Sequence, residues 1–146
     1  MGTQSVRVIC TQNTQASLVR LKTYVETAEK IPFAPKSDVK PDEIIERLRQ
    51  VLSSRFRNVS VSNDSESRSA NSPVVIFDVQ ARIGMTSGET NSVLISATFK
   101  DGAGHVIDTI TSSGTTKCPY PAWRTHFPEA VAAAFNDFSQ KFSRLR

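Results

Sequence analysis

The apolar pattern between Ser72 and the C-terminus constrains the fold most. Val75, Phe77, Val79, Ala81 and Ile83 occupy every second position, and Val93, Ile95, Ala97 and Phe99 repeat that period. A period of two over adjacent segments is the signature of strands with one buried face. Asp101-Gly102-Ala103-Gly104 supplies a turn, and Val106-Ile107-Asp108-Thr109-Ile110 leads back as a third strand. The Ser112-Ser113-Gly114-Thr115-Thr116 run is expected to end that strand. The period then changes: Val131, Phe135, Phe138 and Phe142 recur at helical spacing. Pro128 suits only the first turn of this helix, because it has no N–H to donate. The helix is therefore expected to start near Phe127, with Thr125 or His126 at its cap.

Upstream, Ser5 to Cys10 reads as a strand and residues 11–15 as a polar loop. In residues 18–25, Val19, Leu21, Thr23 and Val25 alternate with Leu18, Arg20, Lys22 and Tyr24. This favours a second strand, although the start of a helix also fits. Pro32 and Pro35 mark residues 31–39 as an extended linker. Pro41 with Asp42 and Glu43 opens a helix whose buried stripe is Ile44, Ile45, Leu48, Val51, Leu52 and Phe56. Val59 and Val61 form a short strand, and residues 63–72 and 86–91 read as loops. The expectation is a single domain over residues 1–146. Residues 1–40 supply N-terminal strands and a linker; residues 41–146 supply a helix, a strand meander and a closing helix. The predicted class is α+β, a two-layer sandwich with a mainly antiparallel sheet and two helices packed on one face. Its core is predicted to hold Ile45, Leu48, Phe77, Val79, Ile95, Phe99, Val131, Phe135 and Phe138.

A chain of 146 residues is one domain by size and needs neither metal nor disulfide to bury a core. Its net charge of +4 is compatible with solubility alone, or with a polyanion or acidic partner. No apolar run is long enough to span a membrane, so membrane attachment would need an anchor not seen here. Cys10, Cys118, His105 and His126 share no metal-ligand spacing. Cys10 and Cys118 have the option of a disulfide only in an oxidising compartment. The Asp101 to Gly104 segment joins strand to strand and opens no helix, so it is a turn rather than a phosphate loop. No nucleophile stands at a motif spacing from either histidine. The chain is read as no enzyme, with no cofactor.

A helix, three strands and a helix also make up the double-stranded-RNA-binding domain, and Arg47, Arg49, Arg55 and Arg57 gather on and after the first strongly amphipathic helix. They are the candidate polyanion-binding residues of a second reading. Against it, the segment opening the last helix holds Arg124 and no lysine pair, and Glu43 and Glu46 offset the arginines. Nucleic acid is therefore disfavoured. Tyr120 and Trp123, between prolines, are the candidate partner-binding residues; the alternative is that Trp123 folds back on the core. Asp78, Gln80, Arg82, Ser96, Thr98 and Lys100 should make the open sheet face polar. A protein partner, or a second copy, is thus expected at a sheet edge, where backbone groups lack partners.

Three features resemble the periplasmic domains of bacterial envelope lipoproteins. They are the helix and short strand from Ile44 to Val61, the hairpin through Lys100-Asp101-Gly102-Ala103-Gly104-His105-Val106-Ile107, and the closing helix from Ala130 to Phe142. The resemblance is to the lipopolysaccharide-assembly lipoprotein type, with curli-secretion and exopolysaccharide-secretion lipoproteins as broader relatives. It covers residues 41–145 and carries no residue-specific motif. The sequence departs from it in having no lipobox cysteine, Cys10 being inside a strand, and no signal peptide. The resemblance implies a non-enzymatic accessory role in assembling or secreting an envelope component. It also implies a place in the periplasm or at the outer membrane; with Met1 as the native start, the expectation is the cytoplasm.

Overall fold

Among the described residues, five strands and three helices form in the order β1 (Ser5–Cys10), α1 (Gln12–Lys30), α2 (Pro41–Leu52), β2 (Asn58–Ser62), β3 (Val74–Arg82), β4 (Thr90–Lys100), β5 (Val106–Lys117) and α3 (Phe127–Ser143). The computed structural model describes residues 5–30, 41–62, 73–84, 88–117 and 126–145. The loops expected at residues 31–39 and 63–72 lie outside them. The strands make one sheet in the order β2-β1-β3-β4-β5. β3, β4 and β5 form the antiparallel meander, while β1 pairs parallel with both β2 and β3. The architecture is an α+β sandwich with a mixed sheet.

The alternation in β3 and β4 places Val75, Phe77, Val79, Val93, Ile95, Ala97 and Phe99 under the helices. α2 contributes Ile44, Leu48 and Leu52, and α3 contributes Phe127, Ala130, Val131, Ala134, Phe135, Phe138 and Phe142. All belong to one hydrophobic cluster, with Ile45 partly buried against it. Within it the phenylalanines form a continuous file. Phe77–Phe135, Phe135–Phe138, Phe138–Phe142 and Phe99–Phe142 have ring centroids 6.5, 6.3, 6.2 and 5.5 Å apart. These separations suit offset or edge contacts.

Residues 18–25 are not a strand: they lie within α1, a helix additional to the two expected. Thr11 caps it, its Oγ1 accepting the Thr14 N–H at 3.2 Å. The side that faces the protein carries Thr14, Ser17, Leu18, Leu21 and Val25 at helical spacing. Two of those five positions are hydroxyl residues, so apolar counting misses the stripe, and Val19 at 63% exposure belongs to no buried face.

Two smaller differences have the same origin. β5 does not stop before Ser112 but continues to Lys117, paired with β4 throughout. Ser112 and Gly114 face α3, and a Cβ on Gly114 would stand 2.2 Å from the Ala130 carbonyl oxygen. Small residues there are what lets the helix backbone approach the strand. Asn91, expected in a loop, is buried in β4: its Oδ1 accepts the Gly84 N–H at 2.7 Å, and its Nδ2 donates to Thr116 Oγ1 at 3.2 Å. α3 begins at Phe127 as expected, with His126 as N-cap at φ 61°, a conformation uncommon for a residue with a side chain.

Candidate functional site

In an open five-stranded sheet, unpaired backbone groups occur at the two outer strands and wherever pairing stops early. Here several of these stretches meet side chains of the same chain. β1 pairs with β3 only as far as Phe77. Beyond that point Thr14 Oγ1 donates to the Phe77 carbonyl and accepts the Val79 N–H, both at 2.8 Å. Ser17 Oγ likewise donates to the Val79 carbonyl at 2.9 Å and accepts the Ala81 N–H at 3.2 Å. Two helix hydroxyls one turn apart thus replace a strand. Asp78 joins this junction by accepting a hydrogen bond from Thr11 Oγ1 at 2.5 Å.

At the β2 margin, Arg49 Nη1 donates to the Val59 carbonyl at 3.4 Å. At the β5 margin, Lys141 Nζ donates to the Thr111 carbonyl at 2.6 Å, and Asp108 Oδ1 accepts the Thr109 N–H at 2.8 Å. Charged side chains on an edge obstruct pairing with a second chain. Residues two apart on a strand direct their backbone groups to the same side. The backbone groups of Ser113 and Thr115 therefore point outward like those of Thr109 and Thr111, and no side chain of the described residues bonds them. The half-edge from Ser113 to Lys117 is the open part of β5. At the strand's other end, Val106 and Ile107 are each 59% exposed.

The sheet face away from the helices carries Asp78, Gln80, Arg82, Ser96, Thr98 and Lys100, as the alternation requires. It also carries Ile9, Ile76 and Leu94. Arg7 lies on this face, with Nε and Nη1 buried and bonded to no group of the described residues.

The four arginines of the second reading do not act as one set. Arg55 Nη2 donates to the Ser143 carbonyl at 3.0 Å, and its guanidinium lies 5.1 Å from the Phe142 ring centroid. It thus complements the negative end of α3. Arg49 is engaged at β2, Arg47 is half-buried on α2, and Arg57 is exposed beyond it. Tyr120, Trp123 and Cys118 lie outside the described residues. Cys10 is a buried free thiol, its pKa raised by burial. His105 pairs with Asp101 at 3.5 Å and His126 with Glu129 at 3.6 Å, each near one carboxylate on an exposed turn. Among the described residues no group of three His, Cys, Asp or Glu side chains is placed to hold a metal, and no helix is long and apolar enough to cross a membrane.

No protein-family model and no curated protein matches the chain. Solved structures do. The fold is similar to that of PelC from Paraburkholderia phytofirmans, described as a dodecamer, with 14% identity, 94% of this chain and 86% of that chain covered, and a TM-score of 0.51. It is similar at the same TM-score, 0.51, to the hypothetical protein CT253 from Chlamydia trachomatis, with 7% identity over 99% of this chain and 98% of that one. A minor lipoprotein from Acinetobacter baumannii aligns over 97% of this chain and 90% of its own, with 13% identity and a TM-score of 0.41. At such identities the likeness is one of fold.

Proposed function

We propose that this chain is a non-enzymatic accessory or assembly protein of the bacterial cell envelope, periplasmic or associated with the outer membrane, working through protein–protein contact at a sheet edge. The observation that carries the reading is the half-edge of β5, Ser113 to Lys117, which no side chain of the described residues caps, while Lys141 and Asp108 meet the half before it. A short open edge accepts a strand in one place and one register, which suits specific assembly better than indiscriminate pairing. The fold it shares with PelC, described as a dodecamer, supports self-association as the form of that contact.

Thr115→Pro tests it. The substitution removes an outward N–H and leaves the pairing with β4 in place, the situation in which strand proline is tolerated. Native mass spectrometry and sedimentation should show an assembly for the parent chain and a monomer for the variant, with melting temperatures close together. A parent chain that stays monomeric, or an assembly indifferent to the substitution, overturns self-association through β5. Fractionation of cells expressing the native gene tests the envelope assignment separately, and recovery in the cytoplasm overturns it.

A further inference from the structure

Where α1 stops replacing a strand, it leaves a cleft. The Thr14 and Ser17 hydroxyls cover β3 as far as Ala81. One turn later Arg20, Leu21 and Tyr24 face Ala81, Arg82 and Ile83 across a cavity of about 380 Å³ that also touches Ser17. Leu21 is fully buried at its base, and Tyr24, Ala81 and Ile83 are half-buried. The lining is therefore mostly apolar, and its charged residues are Arg20 on α1 and Arg82, at the end of β3 where the cleft meets the open sheet face. Among the described residues no carboxylate lines it. Among the described residues Arg20 reaches Ser17 Oγ alone, at 3.4 Å, an uncharged partner already bonded to β3. Arg82 makes no hydrogen bond or ion pair with the described residues.

An apolar cleft of this size with a few convergent polar groups is the usual form of a small-ligand site. Guanidinium groups match carboxylates in geometry and charge. We propose that this cleft binds a small organic monocarboxylate with a compact apolar body. The body lies against Leu21, Ala81 and Ile83, and the carboxylate faces Arg20 and Arg82. The site is separate from the β5 half-edge and stands whether or not the chain self-associates.

The experiment is a titration of methyl-labelled protein with octanoate, octylamine, 1-octanol and inorganic phosphate, followed at the Leu21, Ala81 and Ile83 methyl groups. Octanoate should shift these resonances saturably, with the other three probes weaker by roughly tenfold or more. The double variant Arg20→Gln/Arg82→Gln should lose roughly tenfold in octanoate affinity, and the double lysine variant should recover part of it. Unliganded melting curves establish that both variants remain folded. Any one of three results overturns the proposal: no saturable shift by about 10 mM octanoate, equal binding of octanol or phosphate, or an unchanged affinity in the glutamine variant.

Discussion

At the scale of single residues, the tightest constraint is Gly114. A Cβ there would meet the Ala130 carbonyl oxygen at 2.2 Å and the Ala134 nitrogen at 2.7 Å. Both are backbone atoms, so no rotamer change relieves the contact and α3 itself must move. Gly114→Ala should destabilise the fold by about 1–3 kcal/mol as an overpacking substitution, measured by urea unfolding. Asp101 is constrained electrostatically. Its carboxylate accepts the backbone N–H groups of His105 and Ala103, both at 2.9 Å. The His105 backbone bond, then the Ala103 bond and the neighbouring imidazole, hold its pKa below the usual carboxylate value. Because the folded pKa is depressed, the stabilisation is present above the unfolded carboxylate pKa and lost as pH falls through the folded one. The Ala103 and His105 amide resonances should follow that titration in the acid range, and Asp101→Asn should abolish it.

At the scale of elements, α1 has two functions that a helix seldom combines: it covers the core with Leu21 and completes a strand edge with Thr14 and Ser17. Each buried hydroxyl both donates to and accepts from β3; removing that of Ser17 strands the Val79 carbonyl and the Ala81 N–H, and removing that of Thr14 strands the Val79 N–H, the Phe77 carbonyl keeping the Thr11 N–H at 3.1 Å. Ser17→Ala, like Thr14→Val, should cost about 1–3 kcal/mol. Hydrogen exchange distinguishes the two. Ser17→Ala should expose the Ala81 amide first, and Thr14→Val the Val79 amide, with the β3–β4 ladder protected in both. Exchange unchanged at these amides would show that α1 covers the edge by packing alone. α3 contrasts with α1: its stripe is apolar along its whole length, and its start at Phe127 follows from Pro128.

At the scale of the molecule, the phenylalanine file joins β3, β4 and α3, and Phe56 extends it with its centroid 6.5 Å from that of Phe142. Phe135 sits centrally, only 3% exposed, in contact with both Phe77 and Phe138. Phe135→Ala should cost about 3–5 kcal/mol in global stability by thermal or chemical unfolding. A loss confined to α3, with the sheet still protected from exchange, would mean that the layers do not unfold together. The capped margins also act at this scale. Lys141, Asp108, Arg49, Thr14 and Ser17 come from elements distant in sequence, and each meets a backbone group that the sheet leaves unpaired.

The layering was legible in the sequence, and so was the phase of β3, β4, α2 and α3. Each of those elements buries apolar residues at its own period, so the pattern needs no knowledge of what it packs against. The hairpin at Asp101 and the start of α3 were legible from turn and proline chemistry. The rest depended on partners. α1 looks like a strand because its buried face is partly Thr and Ser, which are buried only because β3 lacks a neighbour there. Composition ends β5 at its Ser and Gly run, and those small residues are what α3 requires in order to approach. The central, parallel place of β1 comes from pairing with segments some fifty and seventy residues away, as Val6↔Val59 and Val8↔Val75 show. The arginines separate for the same reason, Arg55 closing α3 and Arg49 capping β2. The cleft lies between α1 and the end of β3, segments some sixty residues apart in the chain. Periodicity is a local property and survives in the chain; polar satisfaction and edge coverage are relations between distant segments, and only the folded structure decides them.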